Sequence, residues 1–350
     1  MALHPLLRIA ITVLVALLAA LACQALHTPL PWMIGPLLTT ATLGIAGAPL
    51  LGSNRLRNIG QWMIGVALGL YFTPDVVSLL ASLAPAVLAG VVWALAMGYA
   101  FYRVLLKANG GDHATAFFAG AIGGASEMSV LAERNGGRVD RVAAAHSLRV
   151  LIVVVLIPLG FQAAGLHGAD ASQLALQAVH PLGLLALLAA SAVGIAIMRW
   201  LKAPNPFVLG ALLMTIALTA SGVELSALPK AASNAGQLFI GVALGTRFTP
   251  AFARAAPRWL GTVAVGTLVM IGASGVFAWL LAQGAGLHPA SVALGTAPGG
   301  IAEMCITAKV LQLGVPVVTV FHVVRYVAVL TLTAPLYRWL SSRRLAAGAP

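Results

Sequence analysis

The stretch Gly123-Gly124-Ala125-Ser126-Glu127-Met128 returns 176 positions later as Gly299-Gly300-Ile301-Ala302-Glu303-Met304. Each copy places two glycines and a glutamate inside an otherwise apolar segment. Two more blocks recur at the same offset: the pattern Asn-x-Gly-Gln-x-x-Ile-Gly-Val-Ala-Leu-Gly at 58–69 and 234–245, and the pair His146/Arg149, which returns as His322/Arg325. Three separated blocks with one offset indicate two homologous halves, which we place at 1–170 and 171–350.

The composition is that of a protein surrounded by lipid. Hydrophobic residues make up 60% of the chain and charged residues 8%, whereas soluble domains carry about 25% charged residues. Apolar runs of about 16 to 30 residues separate the polar clusters, long enough for bilayer spans. We therefore expect an all-α integral membrane protein of the bacterial inner membrane, with the lipid bilayer as its first partner.

The net charge of +12 does not predict nucleic-acid binding, because the basic residues stand in small groups between apolar runs. The two cysteines, Cys23 and Cys305, are too few for a disulfide framework or a zinc site. The apolar run that follows Arg8 is interpreted as an uncleaved first transmembrane helix rather than a signal peptide.

Each half contains six apolar elements, and the fifth carries the Gly-Gly pair and the glutamate near its middle. Glycine favours an unwound chain there, and a charge at that depth requires a cavity rather than lipid. The predicted elements are 6–26, 31–48, 57–72, 76–106, 113–134 and 141–164 in the first half, and 176–200, 206–222, 234–248, 252–283, 289–310 and 316–340 in the second.

The charge of the loops indicates the membrane topology of these elements. If the fifth element is a re-entrant hairpin, nearly all basic loops and both termini fall on the cytoplasmic side, and only Lys230 and Lys309 lie outside. Each half then has five crossings, so the two repeats are inverted, as in secondary transporters. A broken helix that crosses completely remains the alternative for each fifth element.

The first candidate site residues are Glu127 and Glu303, two of only eight acidic residues. A charge in mid-membrane costs roughly 2.5–3.5 kcal/mol on insertion scales and usually marks an ion or proton pathway. The alternative is that each carboxylate caps the broken helix or pairs with an arginine.

The neighbouring glycines, Gly123, Gly124, Gly299 and Gly300, and Ser126 are included in this substrate or ion site. His146 with Arg149 and His322 with Arg325 share a helical face at i, i+3 spacing. We expect the arginines to pair with the glutamates in the empty state and to bind an anionic group in the loaded state. Alternatively, Arg149 only orients its helix.

Gln61 and Gln237 are candidates for solute contacts or for interhelical hydrogen bonds, whereas the glycines around them are expected to serve packing.

A resemblance to a known family is carried by Leu30-Pro31-Trp32-Met33-Ile34-Gly35-Pro36 together with the three doubled blocks. These residues resemble the membrane AbrB family, also described as the AbrB duplication, over nearly all of both halves. Members are variously labelled transport protein, regulator of gene expression or putative ammonia monooxygenase, and the family is similar to the cation/proton antiporter and anion transporter superfamily. The resemblance implies no particular substrate and no established set of functional residues.

These observations predict a secondary transporter of a small solute, with an anion as one candidate, that works by proton- or cation-coupled alternating access. A membrane-embedded regulator that acts indirectly on gene expression is the alternative. An ammonia monooxygenase-type enzyme is disfavoured because the eight histidines are scattered and form no metal-ligand pair on one helix. We accordingly expect no enzymatic activity, no metal and no cofactor, and leave a homodimer open.

Overall fold

The computed structural model describes residues 4–109, 112–168, 178–254 and 256–346, and all regular structure within them is helical. The predicted division at 170/171 and the predicted start of an element at 176 lie outside these residues.

The helices of the two halves follow one another in the same order and with similar lengths. The first half contains α1 (Pro5–Ala25), α2 (Pro31–Ile45), α3 (Asn54–Gly69), α4 (Pro74–Ala81), α5 (Ala84–Asn109), α6 (His113–Gly120), α7 (Ala125–Arg134) and α8 (Val139–Ala163). The second contains α9 (Pro181–Trp200), α10 (Pro206–Ala220), α11 (Lys230–Gly245), α12 (Pro250–Arg254), α13 (Pro257–Ala285), α14 (Pro289–Thr296), α15 (Ile301–Val310) and α16 (Val315–Ala346).

Six helices in the described part of the chain, α1, α5, α8, α9, α13 and α16, are long and apolar enough to cross a membrane. The helices α2, α3, α10 and α11 have 15 or 16 residues, fewer than the roughly 20 that a perpendicular span needs. This combination is compatible with an α-helical membrane protein.

The fourth element of each half was predicted wrongly as one helix. The predicted ranges 76–106 and 252–283 each contain a short helix followed by a long one, α4 with α5 and α12 with α13. Pro85 stands in the first turn of α5, and Pro257 begins α13. Proline removes a helical donor and disfavours helical geometry in the residue before it; Ala256 accordingly adopts a left-handed conformation with φ 56°. The fifth elements are interrupted as predicted, because α6 is separate from α7 and α14 from α15.

The chain divides into two compact units that differ from the two sequence halves. Unit 1 takes its residues from Met1–Leu83, Val154–Arg254 and Ala302–Val318, and unit 2 takes its residues from Ala84–Val153, Ala255–Ile301 and Thr319–Pro350. Each unit therefore combines segments of both homologous halves.

Glycines set the helix packing within unit 1. A Cβ atom on Gly65 of α3 would lie 2.6 Å from the carbonyl oxygen of Val208 in α10, and one on Gly241 of α11 would lie 2.7 Å from that of Met33 in α2. A Cβ on Gly60 would likewise lie 2.8 Å from the oxygen of Gly236. Helices of one half thus pack directly on helices of the other, and the repeated glycines allow the close approach, as in small-xxx-small packing.

Aromatic side chains fill much of the core of unit 2. Phe118 of α6 is fully buried, and its ring lies 4.9 Å from that of Tyr337 in α16. Trp93 of α5 stacks on Phe277 of α13, with ring centroids 4.4 Å apart. This core holds α6, the first half of one interrupted element, against longer helices.

We expect Gly65→Ala to destabilise the protein, because the new methyl group would displace the backbone of α10. Overpacking of this kind costs about 1–3 kcal/mol, which thermal unfolding of the detergent-solubilised protein would report as a lower Tm. Gly272→Ala in α13 is the matched control, since nothing lies within 4 Å of its added Cβ atom. A Tm drop as large in the control as in Gly65→Ala would contradict the packing role.

Candidate functional site

The two interrupted elements have the same geometry. In the first, α6 ends at Gly120 and α7 begins at Ala125; in the second, α14 ends at Thr296 and α15 begins at Ile301. The residues that follow the first half-helices, Ala121 and Ala297, turn the chain to extended ψ angles of 139° and 144°. Both halves therefore replace one turn of helix by an extended connection.

Side chains of α7 fold back over the two glycines of the first connection. A Cβ atom on Gly123 would lie 2.8 Å from Cε of Met128, and one on Gly124 would overlap Oε2 of Glu127. The glutamate carboxylate thus occupies the space that a side chain at position 124 would take. The Gly-Gly pair interrupts the helix and also makes room for the acid.

Glu127 lies in the first turn of α7, whose N-cap is Gly124. Its carboxylate therefore stands beside the positive end of this half-helix. The hydroxyl of Tyr326 on α16 donates a hydrogen bond to Oε1 at 3.1 Å. The side chain is half-buried, and these contacts hold the carboxylate at the start of α7.

Glu303 has the equivalent position in the first turn of α15, but its surroundings differ. Its relative exposure is 8%, and its carboxylate interacts electrostatically with Arg247. Glu303 belongs to unit 1 and Glu127 to unit 2. The repeat therefore supplies two acids at equivalent places in sequence and in helix, with different neighbours.

His146 and Arg149 of α8 bind the end of α6, and we call this arrangement the His–Arg clamp. Nε2 of His146 lies 2.9 Å from the carbonyl oxygen of Phe118, and Nη1 of Arg149 donates to that of Ala121 at 3.1 Å. Nη2 of Arg149 lies 2.8 Å from Nδ1 of His146. The last carbonyls of a helix have no partner within it, and the clamp satisfies two of them.

The second half repeats the clamp with His322 and Arg325 of α16. Nε2 of His322 lies 2.9 Å from the oxygen of Leu294, Nη1 of Arg325 donates to Ala297 at 2.5 Å, and its Nη2 lies 2.8 Å from Nδ1 of His322. Nη2 of Arg325 also donates to the oxygen of Gly299 at 2.6 Å. Both clamps lie within unit 2.

These partners define the state of each histidine. A backbone carbonyl only accepts, so Nε2 must carry a proton; an arginine only donates, so Nδ1 must be bare. His146 and His322 are therefore neutral Nε2–H tautomers in this arrangement. A second proton on either ring would face a guanidinium group and break the clamp.

The structure gives the two arginines a role that the sequence did not predict. Both are buried, with exposures of 2% and 5%, and Arg149 and Arg325 are close enough for their charges to interact. Nε of Arg149 has no hydrogen-bond partner among the described residues. The arginines bind backbone carbonyls and the histidines of the clamps. That they pair with Glu127 and Glu303 stays a prediction.

The remaining candidates are placed as follows. Ser126 is exposed at the start of α7, and Gly299 is buried whereas Gly300 is half-buried. Gln61 is half-buried on α3 and Gln237 is buried on α11, each one residue beyond the glycine at which these helices meet.

Three side-chain interactions were not predicted. Tyr326 bonds to Glu127, Arg247 interacts with Glu303, and the Lys309 ammonium lies 5.8 Å from the centre of the Tyr71 ring. Tyr326 directly follows Arg325 in the sequence and lies inside an apolar run. This polar side chain was the sequence feature from which a partner of Glu127 could have been predicted. Among the described residues, no group of three or more His, Cys, Asp or Glu side chains could hold a metal ion.

These features define a helical chain of the membrane-protein type with two equivalent interrupted helices. The family model for the transition state regulatory protein AbrB matches residues 32–341, and the chain belongs to this AbrB family. The resemblance noted in the sequence is thereby confirmed. A relative in Bacillus subtilis (strain 168), the uncharacterized protein YhjN, is 26% identical over 339 residues, which cover 88% of this chain and 87% of the relative.

We expect Arg149→Met to loosen the first interrupted element, because it leaves the carbonyl of Ala121 without its donor. An unsatisfied buried carbonyl costs about 1–3 kcal/mol, so the Tm should fall and amide hydrogen exchange at 121–125 should accelerate. Arg138→Met is the matched control, since it removes only an exposed ion pair with Asp140, a type of contact that contributes little to stability. Equal exchange at 121–125 in both variants would refute the clamp.

Proposed function

We propose that this protein is a secondary transporter that moves a small solute across the bacterial inner membrane. The observation that carries the proposal is the pair of equivalent interrupted helices, each with a glutamate in the first turn of its second half-helix. Non-helical backbone is tolerated at membrane depth only where protein or a water-filled cavity surrounds it. Interrupted helices in repeated halves are the usual place for solute and ion sites in transporters.

The proposed topology follows from the loop charges. The basic loops and both termini are cytoplasmic, each interrupted element is a hairpin or a broken crossing helix, and the two repeats have opposite orientations. The short helices α4 and α12 then precede the long crossing helices α5 and α13. With five crossings in each half, the second half begins on the side opposite to the first.

The proposed mechanism is alternating access with exchange of a proton or cation at Glu127 and Glu303. Unit 2 contains the two Gly-Gly connections, both His–Arg clamps and Glu127, whereas Glu303 belongs to unit 1. In this proposal a bundle that contains both Gly-Gly elements moves and exposes the site alternately to either side of the membrane. A carboxyl group that is shielded from water can load and release a proton in such a cycle.

The proposed solute is small, and an anion suits the site best. The buried charges of Arg149 and Arg325 and the positive ends of α7 and α15 both favour negative charge nearby. Anion transport of this kind needs no enzyme active site, metal or cofactor.

The regulatory name of the family model favours a second candidate function. In this case the protein is a regulator that acts indirectly, for instance because it changes the cytoplasmic concentration of a metabolite.

Flux measurements test the role of the two acids. Vesicles that contain the purified protein and an internal pH-sensitive dye are exposed to a panel of probes: chloride, phosphate, monocarboxylates, dicarboxylates and amino acids. We expect at least one class to drive proton movement in the wild type, and Glu127→Gln with Glu303→Gln to abolish it, since neither amide can carry the proton. Glu133→Gln is the matched control, because Glu133 is exposed on the same helix as Glu127.

The result is informative in either direction once gel filtration shows that all variants are folded. Loss of flux in the double variant and its retention in Glu133→Gln would support proton-coupled transport. The proposal would be contradicted if no probe class drove proton movement in wild-type vesicles, or if the double variant moved protons as fast as the wild type. In the first case the regulator would be the better candidate.

Cysteine labelling tests the inverted topology independently. Arg134 and Val310 occupy equivalent positions at the ends of α7 and α15, and both are exposed. In a background with Cys23→Ala and Cys305→Ala, we expect Arg134→Cys to react with a membrane-impermeant maleimide only from the cytoplasmic side, and Val310→Cys only from the outer side. Labelling of both positions from the same side would exclude inverted repeats.

A further inference from the structure

Unit 1 contains a polar cavity that is lined by none of the predicted site residues, although one of its arginines, Arg247, also interacts with Glu303. It lies between the connection that leads into α3 and the C-terminal end of α11, and its volume is about 230 Å³. The polar part of its wall is formed by Ser53, Asn54, Arg57, Thr246 and Arg247. Two arginines from different halves of the sequence thus line one cavity.

None of the described residues that line this cavity is acidic. Nε of Arg57 is buried and has no hydrogen-bond partner among the described residues. In the same connection, the carbonyls of Pro49 and Leu50 accept from Arg8, at 2.8 and 3.2 Å. A buried guanidinium nitrogen without a partner is costly and indicates a missing acceptor.

The backbone adds positive potential at the same place. Ser53 is the N-cap of α3, and the first turn of this helix contains no acidic residue, so its first amide groups and dipole favour an anion. Gly52 allows the connection before α3 to lie close to Thr246 at the end of α11. A Cβ atom on Gly52 would lie 2.5 Å from Oγ1 of Thr246. The cavity therefore depends on a glycine that brings the helix start close to α11.

We propose that this cavity binds a phosphate-type oxyanion, held by the guanidinium groups of Arg57 and Arg247 and by the polar groups at the start of α3. Arginine suits this ligand because its planar fork matches two oxygens of a phosphate group at once. The proposal does not depend on transport. The same phosphate chemistry occurs in lipid headgroups and in soluble phosphates, and under the proposed topology the cavity lies on the cytoplasmic side, where basic pockets between helices bind anionic headgroups.

Binding experiments on the full-length protein test the site. Delipidated protein in neutral detergent is titrated with sodium phosphate, with sodium chloride at matched ionic strength as reference, and the Tm is recorded. In parallel, native mass spectrometry measures the retention of phosphatidylglycerol. We expect Arg57→Gln and Arg247→Gln each to weaken binding about tenfold or more, which corresponds to about 1.4 kcal/mol per tenfold step.

Arg55→Gln is the matched control, because Arg55 is exposed on the same helix and does not line the cavity; we expect binding within twofold of the wild type. Arg57→Lys keeps the charge but loses the fork, and its intermediate affinity would separate loss of binding from loss of fold.

Phosphate binding that depends on Arg57 and Arg247 would identify a soluble ligand, and equally dependent lipid retention without phosphate binding would identify a headgroup. Equal binding in Arg57→Gln, Arg247→Gln and Arg55→Gln, or no binding of either probe by the wild type, would overturn the proposal.

Discussion

An interrupted helix leaves carbonyl groups without helical partners, and unit 2 is arranged around this constraint. In water such groups would be solvated, but in an apolar surrounding each must find a donor within the protein. His146 with Arg149 and His322 with Arg325 supply these donors to the ends of α6 and α14. The histidine must be neutral to do so, since its Nδ1 atom accepts from the arginine. The positive arginine also stands at the negative end of a helix dipole, which offsets part of the cost of burying its charge.

The same interruption creates the place where chemistry can occur. Because the chain is extended before α7 and α15, each of these helices begins inside the protein and presents its positive end together with a glutamate. The two copies have since diverged in their neighbours: the positions equivalent to Tyr326 and Arg247 are Val150 and Tyr71. Glu127 therefore has a phenol as partner, whereas Glu303 is more deeply buried and lies near a cation. Two acids that are equivalent in sequence are thus unequal in environment, which a coupled transporter could use to load and release an ion in turn.

Much of the fold was predictable because it is encoded in local pattern. The doubled blocks gave the internal repeat, and the Gly-Gly pairs gave the interrupted helices. The separate helices α4 and α12 were missed although Pro85 and Pro257 marked the boundaries. The partners of Arg149 and Arg325 could not be predicted from side-chain pattern, since backbone carbonyls carry no signature in sequence. The polar cavity was equally unpredictable, because Arg57 and Arg247 are far apart in the sequence and only tertiary packing brings them to one cavity.

We propose that the two interrupted helices enter the membrane from opposite sides and meet at its middle. An electron cryo-microscopy map of the protein in a lipid nanodisc measures this most directly, because the density of the disc defines the bilayer. We expect Gly123–Gly124 and Gly299–Gly300 to lie at the same depth near the bilayer centre, with the two halves related by a twofold axis in the membrane plane. Gly-Gly connections at the membrane surface, or halves related by an axis along the membrane normal, would contradict it.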